Sequence, residues 1–399
     1  MGWLLPYAQL TPAQRRAIDY PDHRTLLILG PPGSGKTMVL LHRAAALRRG
    51  VLEGRASVQV LVYTRALKRY VQAEAQLAGL EPWQVATFDS WCRKLLRKLH
   101  PFHPALQEGG NPDHPRVREA LAEKLQGWNP NFRPYSAVLV DEGQDLDALS
   151  FLILQKAAEH LTVALDPHQQ IYEHGIGLAG VRQLLGPQVA ELELDDNFRC
   201  ALPVARLAAL YLPPAERHRF PPAHLAPGGP KELPVLFLAA SPQGLVGHVV
   251  RVARGRLLRG ERVGILTPSK RFFPNILQEA ARQGLNLHAQ AEDWNGQDPL
   301  LLTLHAAKGL VFDSVLLSHV LPGALRHGQD HLWERLLFVG ISRARHWVLL
   351  ASQEQPAGNV FPPLTRLIPA VGVVEVQQEE VQSGTSRGTS PPPKLEDLI

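Results

Sequence analysis

Short apolar runs alternate with longer amphipathic stretches along the first half of the chain. Runs of four to six apolar residues predict buried strands, and the stretches with helical spacing between them predict helices. The predicted strands are 25–29, 58–63, 137–141 and 161–165, and the predicted helices are 39–49, 66–78 and 149–160. This order of strand and helix indicates a mostly parallel sheet covered by helices.

A second set of the same kind follows the proline-rich stretch 212–234. Its predicted strands are 235–240, 262–268, 301–305, 314–320 and 346–350, and its predicted helices lie near 242–258 and 271–283. We therefore expect an α/β fold with two similar halves. Proline and glycine interrupt a small insertion at about 93–134, and residues 373–399 hold too few apolar side chains to pack, so we predict a disordered tail there.

Composition narrows the class of protein. The chain has 399 residues, of which 45% are hydrophobic and 20% charged, a balance typical of soluble globular proteins. Its apolar runs are far shorter than the roughly 18 residues of a membrane span, and the N-terminus lacks a basic signal region, so we expect a cytoplasmic protein with no membrane partner. Cys92 and Cys200 lack metal or redox spacing and are predicted to be small buried hydrophobes. The net charge of +5 is compatible with a polyanionic partner but does not require one.

The most specific motif is LLILGPPGSGKT at 26–37, in which a predicted strand leads into G-x-x-x-x-G-K-T and then into a predicted helix. Backbone N–H groups at the start of such a helix bind phosphate, and the helix dipole favours an anion. Lys36 is predicted to reach the β- and γ-phosphates, and the Thr37 hydroxyl to bind Mg²⁺. The predicted nucleotide-binding residues of this loop are Gly30, Pro31, Pro32, Gly33, Ser34, Gly35, Lys36 and Thr37.

An acidic pair follows the predicted strand AVLV. Asp141 fits the second-sphere acid of the magnesium site, and Glu142 is placed to polarise an attacking water. The two motifs together predict a protein that binds a nucleoside triphosphate with Mg²⁺, and they fit transporters, kinases, GTPases and motors equally well.

Eight motifs in one order decide between these classes. VDEGQD at 140–145 resembles the acid box of superfamily 1 helicases of the UvrD/Rep group. The other stretches that resemble motifs of this family are LTPAQRRAI (10–18), LVYTRAL (61–67), ATFDSWC (86–92), LDPHQQIY (165–172), DDNFRC (195–200), LLTLHAAKGLVFD (301–313) and LLFVGISRARHW (336–347). The resemblance runs from about residue 10 to residue 350.

The resemblance implies two tandem RecA-like domains, at 1–194 and 195–372, with ATP between them. The amide of Gln14 complements the N6/N7 edge of adenine, and Phe198 occupies the position that stacks on the base. Gln169 corresponds to the γ-phosphate sensor. Arg199 and Arg343 correspond to arginine fingers supplied from outside the P-loop domain.

The resemblance also implies a track for single-stranded DNA across both domains. The residues at the DNA-facing motif positions are Tyr63, Thr64, Thr87, Phe88, Ser90, Thr303, His305 and Lys308. An aromatic residue at such a position is either a stacking platform or part of the core, and for Phe88 both readings stay open. The implied function is an ATP-dependent motor on single-stranded DNA, moving 3′-to-5′, with a nuclease or repair factor as an expected protein partner.

Several departures from the family pattern bear on this function. The sensor motif continues as EHGIG at 173–177, without the tryptophan that stacks on a base in the family, and Val311 stands where an acid usually binds the ribose. The family carries a large insertion in each half, but here the first is confined to about 93–134 and the second has almost no room between 284 and 300, which indicates a minimal core. Two other functions therefore stay open: a non-motor ATP switch within a repair or nuclease complex, and an RNA motor.

Overall fold

The structure is a computed structural model. It describes residues 4–21, 24–50, 57–106, 113–127, 133–171, 175–219, 232–289, 298–326, 328–354, 359–370 and 372–379. Within these residues both cysteines are buried and unpaired, as predicted.

The first half of the chain forms an α/β domain. Its elements are α1 (Pro12–Ile18), β1 (Leu26–Leu29), α2 (Lys36–Gly50), β2 (Val58–Val62), α3 (Arg65–Leu77), β3 (Val85–Thr87), α4 (Phe88–Leu99), α5 (His114–Gln126), β4 (Tyr135–Val140), α6 (Ala148–Ala157), β5 (Ala158–Leu165), α7 (Gly177–Leu185) and β6 (Ala190–Glu193). The six strands are parallel and pair in the order β3-β2-β4-β5-β1-β6.

The second half forms a similar domain. Its elements are α8 (Leu202–Ala209), β7 (Val235–Ala239), α9 (Pro242–Leu258), β8 (Val263–Thr267), α10 (Phe273–Arg282), β9 (Leu300–Thr303), β10 (Phe312–Leu317), α11 (Trp333–Ile341), β11 (Ala344–Gln353), α12 (Pro362–Thr365) and β12 (Glu375–Gln378). These six strands are also parallel, in the order β12-β7-β11-β10-β8-β9.

The two α/β domains are built alike, each around six parallel strands. In both, strands alternate with helices along the chain, and the strand that opens the domain pairs inside its sheet rather than at an edge. Strand β8 lies between β9 at the sheet edge and β10 on its other side, as β2 lies between β3 and β4. The predicted fold of two α/β domains, each with a helix-covered parallel sheet, is confirmed.

Each sheet is buried on both faces, which explains why its central strands are runs of apolar residues. In β1, Leu27 and Leu29 pack into one core cluster and Leu26 and Ile28 into another on the opposite face. This alternation follows from the two-residue period of a strand. Because the strands of a sheet all run in the same direction, the residue after each strand lies at the carboxyl end of the sheet. The loops that carry the candidate chemistry begin there.

Two of the predicted boundaries change. The predicted insertion at 93–134 begins inside α4, and its helices contribute Leu95, Val117 and Leu121 to the core of the first domain, so this region is part of that core. The predicted tail begins too early, because β12 at Glu375–Gln378 pairs with β7 and extends the second sheet. Residues 380–399 lie outside the described part of the chain.

Candidate functional site

The loop Gly30–Thr37 connects β1 to α2, which begins at Lys36. Gly33 and Gly35 have φ angles of 84° and 87°, the left-handed region that favours glycine. The surroundings exclude larger residues as well. A Cβ atom would lie 2.4 Å from Asn197 Oδ1 at Gly33 and 2.6 Å from Gln14 Nε2 at Gly35. The sequence therefore forms a tight phosphate loop, as the motif predicts.

Lys36 lies inside this loop with its side chain almost fully buried. Its Nζ donates to the carbonyl oxygens of Gly30, at 2.7 Å, and Pro31, at 2.9 Å. Burial lowers the pKa of the amine, and the nearby charges of Asp166, Glu142 and Asp141 oppose that shift. The ammonium group is held by neutral carbonyls of its own loop, so an incoming phosphate can exchange with them.

Thr37 and Asp141 meet at the foot of the loop. The Thr37 hydroxyl donates to Asp141 Oδ2 at 2.6 Å. Burial and the charge of Glu142 raise the pKa of Asp141 to about 6, although the hydrogen bond from Thr37 opposes the shift. A hydroxyl and a carboxylate oxygen are the hard ligands that Mg²⁺ prefers, and the pair fits the predicted magnesium position.

Glu142 has a φ of 57° and a ψ of 40°, which is rare for a residue with a side chain. Such backbone strain is typical of functional sites. Gln144 Nε2 donates to Glu142 Oε2 at 2.5 Å. Burial raises the pKa of this carboxyl, but the charges of Lys308, Lys36 and Arg343 outweigh burial and lower the pKa to about 2. Glu142 is therefore ionised at neutral pH and able to accept a proton from water.

Lys308 crosses from the second domain into this site. Only 1% of the residue is exposed, and its Nζ donates to Asp145 Oδ2 at 2.5 Å and to the Gln169 carbonyl at 2.6 Å. It also lies 3.4 Å from Glu142 Oε2. Burial raises the pKa of Asp145 to about 7 even though Lys308 opposes that shift. The predicted contact of Lys308 with DNA is contradicted, because its amine lies in the interdomain cleft.

Arg343 makes a second connection between the domains. Its NH2 group donates to Gln169 Oε1 at 2.7 Å, and Gln169 Nε2 donates to Asp166 Oδ2 at 2.7 Å. The Asp166 backbone N–H then donates to Gln144 Oε1 at 3.1 Å. Burial, and the like charge of Arg199, lower the pKa of Arg343 to about 10, so the group stays cationic at neutral pH. A continuous hydrogen-bonded chain thus links the candidate base to the second domain.

Arg199 enters the cleft from the segment between the two sheets. Asn197 Oδ1 accepts hydrogen bonds from the backbone N–H groups of Arg199, at 2.9 Å, and Cys200, at 3.1 Å. The Arg199 guanidinium donates to the Ser342 carbonyl at 3.3 Å, which places it next to Arg343. Its charge lowers the pKa of Lys36 as well. Three cations therefore surround one position beside the phosphate loop.

Gln14 and Phe198 lie on either side of the same loop. Gln14 Nε2 donates to the Ser34 carbonyl at 3.0 Å, and Gln14 Oε1 accepts from the Thr11 backbone at 3.0 Å. The Phe198 backbone N–H donates to the Gly33 carbonyl at 3.0 Å, and its side chain is 46% exposed. Phe198 therefore offers a ring at the edge of the cleft. Gln14 still has one amide hydrogen and one oxygen lone pair for a base.

The predicted DNA residues divide into two groups. Half-buried residues at the carboxyl ends of β2, β3 and β9 remain placed for contact: Tyr63, Thr64, Thr87, Ser90, Thr303 and His305. Phe88 does not, because only 5% of it is exposed and its ring centroid lies 5.8 Å from that of Trp91 in the core. The core alternative for Phe88 is the one that the structure supports.

Four residues of the site were not predicted, although each lies inside a quoted motif. Gln144 and Asp145 belong to the acid box, Asp166 to the sensor motif and Asn197 to DDNFRC. Their carboxylates and amides hold the predicted residues in place. The signal that marks them is a polar side chain with almost no exposed surface, which the sequence does not report.

This fold and site define a P-loop protein with two RecA-like domains, in which Arg343 of the second domain reaches the cleft beside the phosphate loop. Comparison with known families narrows the class. Residues 10–132 match the UvrD/REP helicase N-terminal domain, and residues 300–351 match the UvrD-like helicase C-terminal domain. The chain therefore carries both domains of a UvrD-type helicase, and it is an ATP-hydrolysing DNA helicase.

Other comparisons add little to this identification. One similar solved structure is the C-terminal domain of a possible DNA helicase from Lactobacillus plantarum WCFS1, with 18% identity and a TM-score of 0.35, covering 45% of this chain and 98% of that one. No curated protein matches the chain. Among the described residues, no helix combines the length and apolar character needed to span a bilayer.

Proposed function

We propose that the protein is a motor that translocates 3′-to-5′ along single-stranded DNA, using Mg²⁺ and ATP. The observation that carries this proposal is that two cations of the second domain contact Gln169, the residue that we assign as the γ-phosphate sensor. Arg343 and Lys308 belong to the second domain, and both bind Gln169 of the first. A change at the phosphate position therefore alters the contacts that hold the domains together.

The roles of the site residues follow from their geometry. Lys36 and the loop N–H groups bind the β- and γ-phosphates, while Thr37 and Asp141 hold the magnesium ion, which would neutralise phosphate charge. Glu142 accepts the proton of the attacking water. Arg199 and Arg343 stabilise charge that develops on the transferred phosphoryl group.

Hydrolysis is coupled to movement through Gln169. In the structure the Gln169 amide is bound on one side by Arg343 and on the other by Asp166. When a γ-phosphate draws Arg343 away, this bond breaks and the second domain shifts toward the P-loop. Predicted DNA residues lie on both domains, at the ends of β2 and β3 and at the end of β9, so the shift moves one set of contacts along the strand relative to the other.

Because the chain has little room for the family's large insertions, we propose that it unwinds duplexes weakly when alone. A nuclease or repair factor would then supply the duplex contacts.

The test combines three assays of one preparation. ATPase is measured with single-stranded DNA, duplex DNA and RNA, and a motor on DNA should be stimulated most by the single strand. Displacement of streptavidin from end-labelled oligonucleotides should occur at the 5′ end, and a tailed duplex should be unwound slowly. ATPase activity that none of the three nucleic acids stimulates would favour a switch subunit. Displacement of streptavidin from the 3′ end alone would show that the protein moves in the opposite direction, 5′-to-3′.

A further inference from the structure

The likeness of the two domains raises a question about the DNA track. In the first domain, predicted DNA residues follow β2 and its neighbour at the sheet edge, β3. In the second domain they follow only the edge strand β9. The strand beside β9 is β8, and no residue after it has been assigned a role.

The loops after β2 and β8 begin alike. Thr64 follows β2 by two positions and caps α3, accepting from the Leu67 N–H at 3.1 Å. Ser269 follows β8 by two positions and precedes the 3₁₀ turn Lys270–Phe272. Its hydroxyl oxygen is buried and has no hydrogen-bond partner among the residues that the structure describes. The two loops therefore present a hydroxyl residue at the same point of the fold.

Three side chains are stacked at the end of β8. His319, after β10, lies under Phe272 with ring centroids 4.2 Å apart and planes inclined by 25°. The guanidinium carbon of Arg271 lies 4.7 Å from the centroid of the same ring. His319 is 6% exposed, whereas Arg271 is exposed, so the stack leads from the core to solvent.

The stack is held at both ends. His319 has a φ of 58°, and its Nδ1 lies 2.9 Å from Ser318 Oγ. Burial, with the charge of Arg271, lowers the pKa of His319 to about 4, so the imidazole is neutral at physiological pH. Arg271 NH2 donates to the Gly323 carbonyl, which fixes the guanidinium beside the ring.

The stack lies at the carboxyl ends of the strands, as the predicted DNA residues do. β8 is paired with β9 on one side and β10 on the other, and Thr267 is in register with Thr303. The predicted DNA residues Thr303 and His305 are therefore one strand away. The guanidinium of Arg271 lies over the Phe272 ring, and the residue is exposed to solvent.

We propose that Arg271, supported by Phe272 and His319, is a platform on which a nucleobase of the single strand stacks. Planar guanidinium groups and aromatic rings stack on bases of any sequence, as a motor requires. This platform supplies the stacking contact that the sensor motif lacks because it has no tryptophan at 173–177. The inference rests on the proposed function, since it assumes a strand along this edge.

The experiment measures affinity for a fluorescent oligonucleotide and for an abasic strand of equal length. Arg271→Ala should bind the normal strand about tenfold more weakly than the wild type, while the two bind the abasic strand equally. Arg271→Lys should lose as much as Arg271→Ala, because it keeps the charge but not the plane. Phe272→Leu, which leaves the charge but removes the supporting ring, should lose part of the affinity.

The control is Arg254→Ala, which removes an exposed arginine in the C-terminal half of α9, the helix that leads from β7 back to the start of β8. Thermal unfolding of each variant verifies folding. Equal loss on normal and abasic strands, or recovery by lysine, would show a phosphate contact and overturn the platform, as would unchanged affinity. Failure of the proposed function has a different signature, because the wild-type protein itself would then not bind single strands.

Discussion

Lys308 and Asp145 lie 163 positions apart in the chain and are joined by a hydrogen bond of 2.5 Å across the domain cleft. Both side chains are withdrawn from water. A buried charged pair adds little net stability, but the removal of one partner leaves a costly unpaired charge. If one partner is removed, the remaining group is left unpaired, and the stability of the contact between the domains should then depend on pH.

Lys308→Met should destabilise the protein, and more so at pH 8 than at pH 5. Burial already raises the pKa of Asp145 to about 7 in the presence of Lys308, and the loss of that cation raises it further. A raised pKa favours the protonated carboxyl in the folded state, so this group's contribution is fully present below its ordinary pKa of 3.8 and is lost as pH rises through the variant's folded pKa, which lies above 7. We expect about 3 kcal/mol at pH 8, measured by denaturant unfolding.

The matched control for that prediction is Asp145→Asn. When Lys308→Met is combined with Asp145→Asn, no carboxylate is left unpaired, so the lysine substitution should cost less and show no dependence on pH between 5 and 8. The salt dependence of DNA affinity should be the same for the wild type and for Lys308→Met, because the amine does not reach the surface. A fall in the salt slope by one phosphate contact would contradict its burial.

Glu142→Gln should remove nearly all ATP turnover while leaving ATP binding close to the wild-type value. The amide keeps the shape of the side chain and its contact with Gln144 but cannot accept a proton from water. Lys36→Ala should lose both binding and turnover, since it removes the phosphate contact. Fluorescent nucleotide binding and steady-state hydrolysis separate the two cases. Near-normal hydrolysis by Glu142→Gln would remove Glu142 as the base.

Arg343→Ala and Arg199→Ala should each lower kcat by at least about 10³, with little change in affinity for ATP. Both guanidiniums lie beside the phosphate loop yet come from outside the first sheet. Asn197→Ala offers a graded comparison, because Asn197 holds the Arg199 backbone and does not touch the phosphate position. It should lower kcat less than Arg199→Ala does. A change in KM alone would make the arginines ground-state binders.

The dependence of activity on magnesium should change with pH. The pKa of Asp141 is raised to about 6. At pH 5.5 the Asp141 carboxyl is therefore protonated in most molecules and cannot bind Mg²⁺, whereas at pH 7.5 it is ionised in nearly all of them. The Mg²⁺ concentration for half-maximal ATPase should therefore be about fourfold higher at pH 5.5. Glu142, with its pKa lowered to about 2, stays ionised throughout this range. An equal magnesium requirement at both pH values would contradict the raised pKa.

How far the sequence predicted the fold depended on burial. Central strands such as β1 and β4 are covered on both faces and are continuous apolar runs, so their positions were predictable. The strands β3, β6 and β12 lie at sheet edges and were missed. β6 reads AELE and β12 reads EVQQ, because edge strands expose alternate or most side chains to water and leave no apolar run.

The residues of the site also differ in how well the sequence predicted them. Gly33, Lys36 and Asp141 are recognisable because phosphate and magnesium chemistry fixes both residue type and spacing. Lys308 was misplaced and Phe88 was left undecided, since the same residue type serves at a DNA surface or in the interior, and only packing distinguishes the two. The link between Lys308 and Asp145 depends on how two domains meet, and no pattern within one stretch of sequence contains that information.

The last prediction separates two aromatic residues that sequence reasoning had grouped together. Tyr63 is half-buried after β2, whereas Phe88 packs in the core beside Trp91. Tyr63→Ala should weaken single-strand binding by about 1–3 kcal/mol through the loss of one stacked base, with an unchanged salt slope because no charge is removed. Phe88→Ala should instead destabilise the first domain by about 3–5 kcal/mol through a core cavity.

Both effects are measurable on the same pair of variants. Thermal unfolding should shift for Phe88→Ala and hardly at all for Tyr63→Ala, and DNA titrations below the unfolding range should give the opposite order. Phe88→Leu is the control, since it keeps most of the buried volume but has no ring to stack; it should bind DNA as the wild type does. Weakened binding by a folded Phe88→Leu protein would return Phe88 to the track, and unchanged binding by Tyr63→Ala would remove Tyr63 from it.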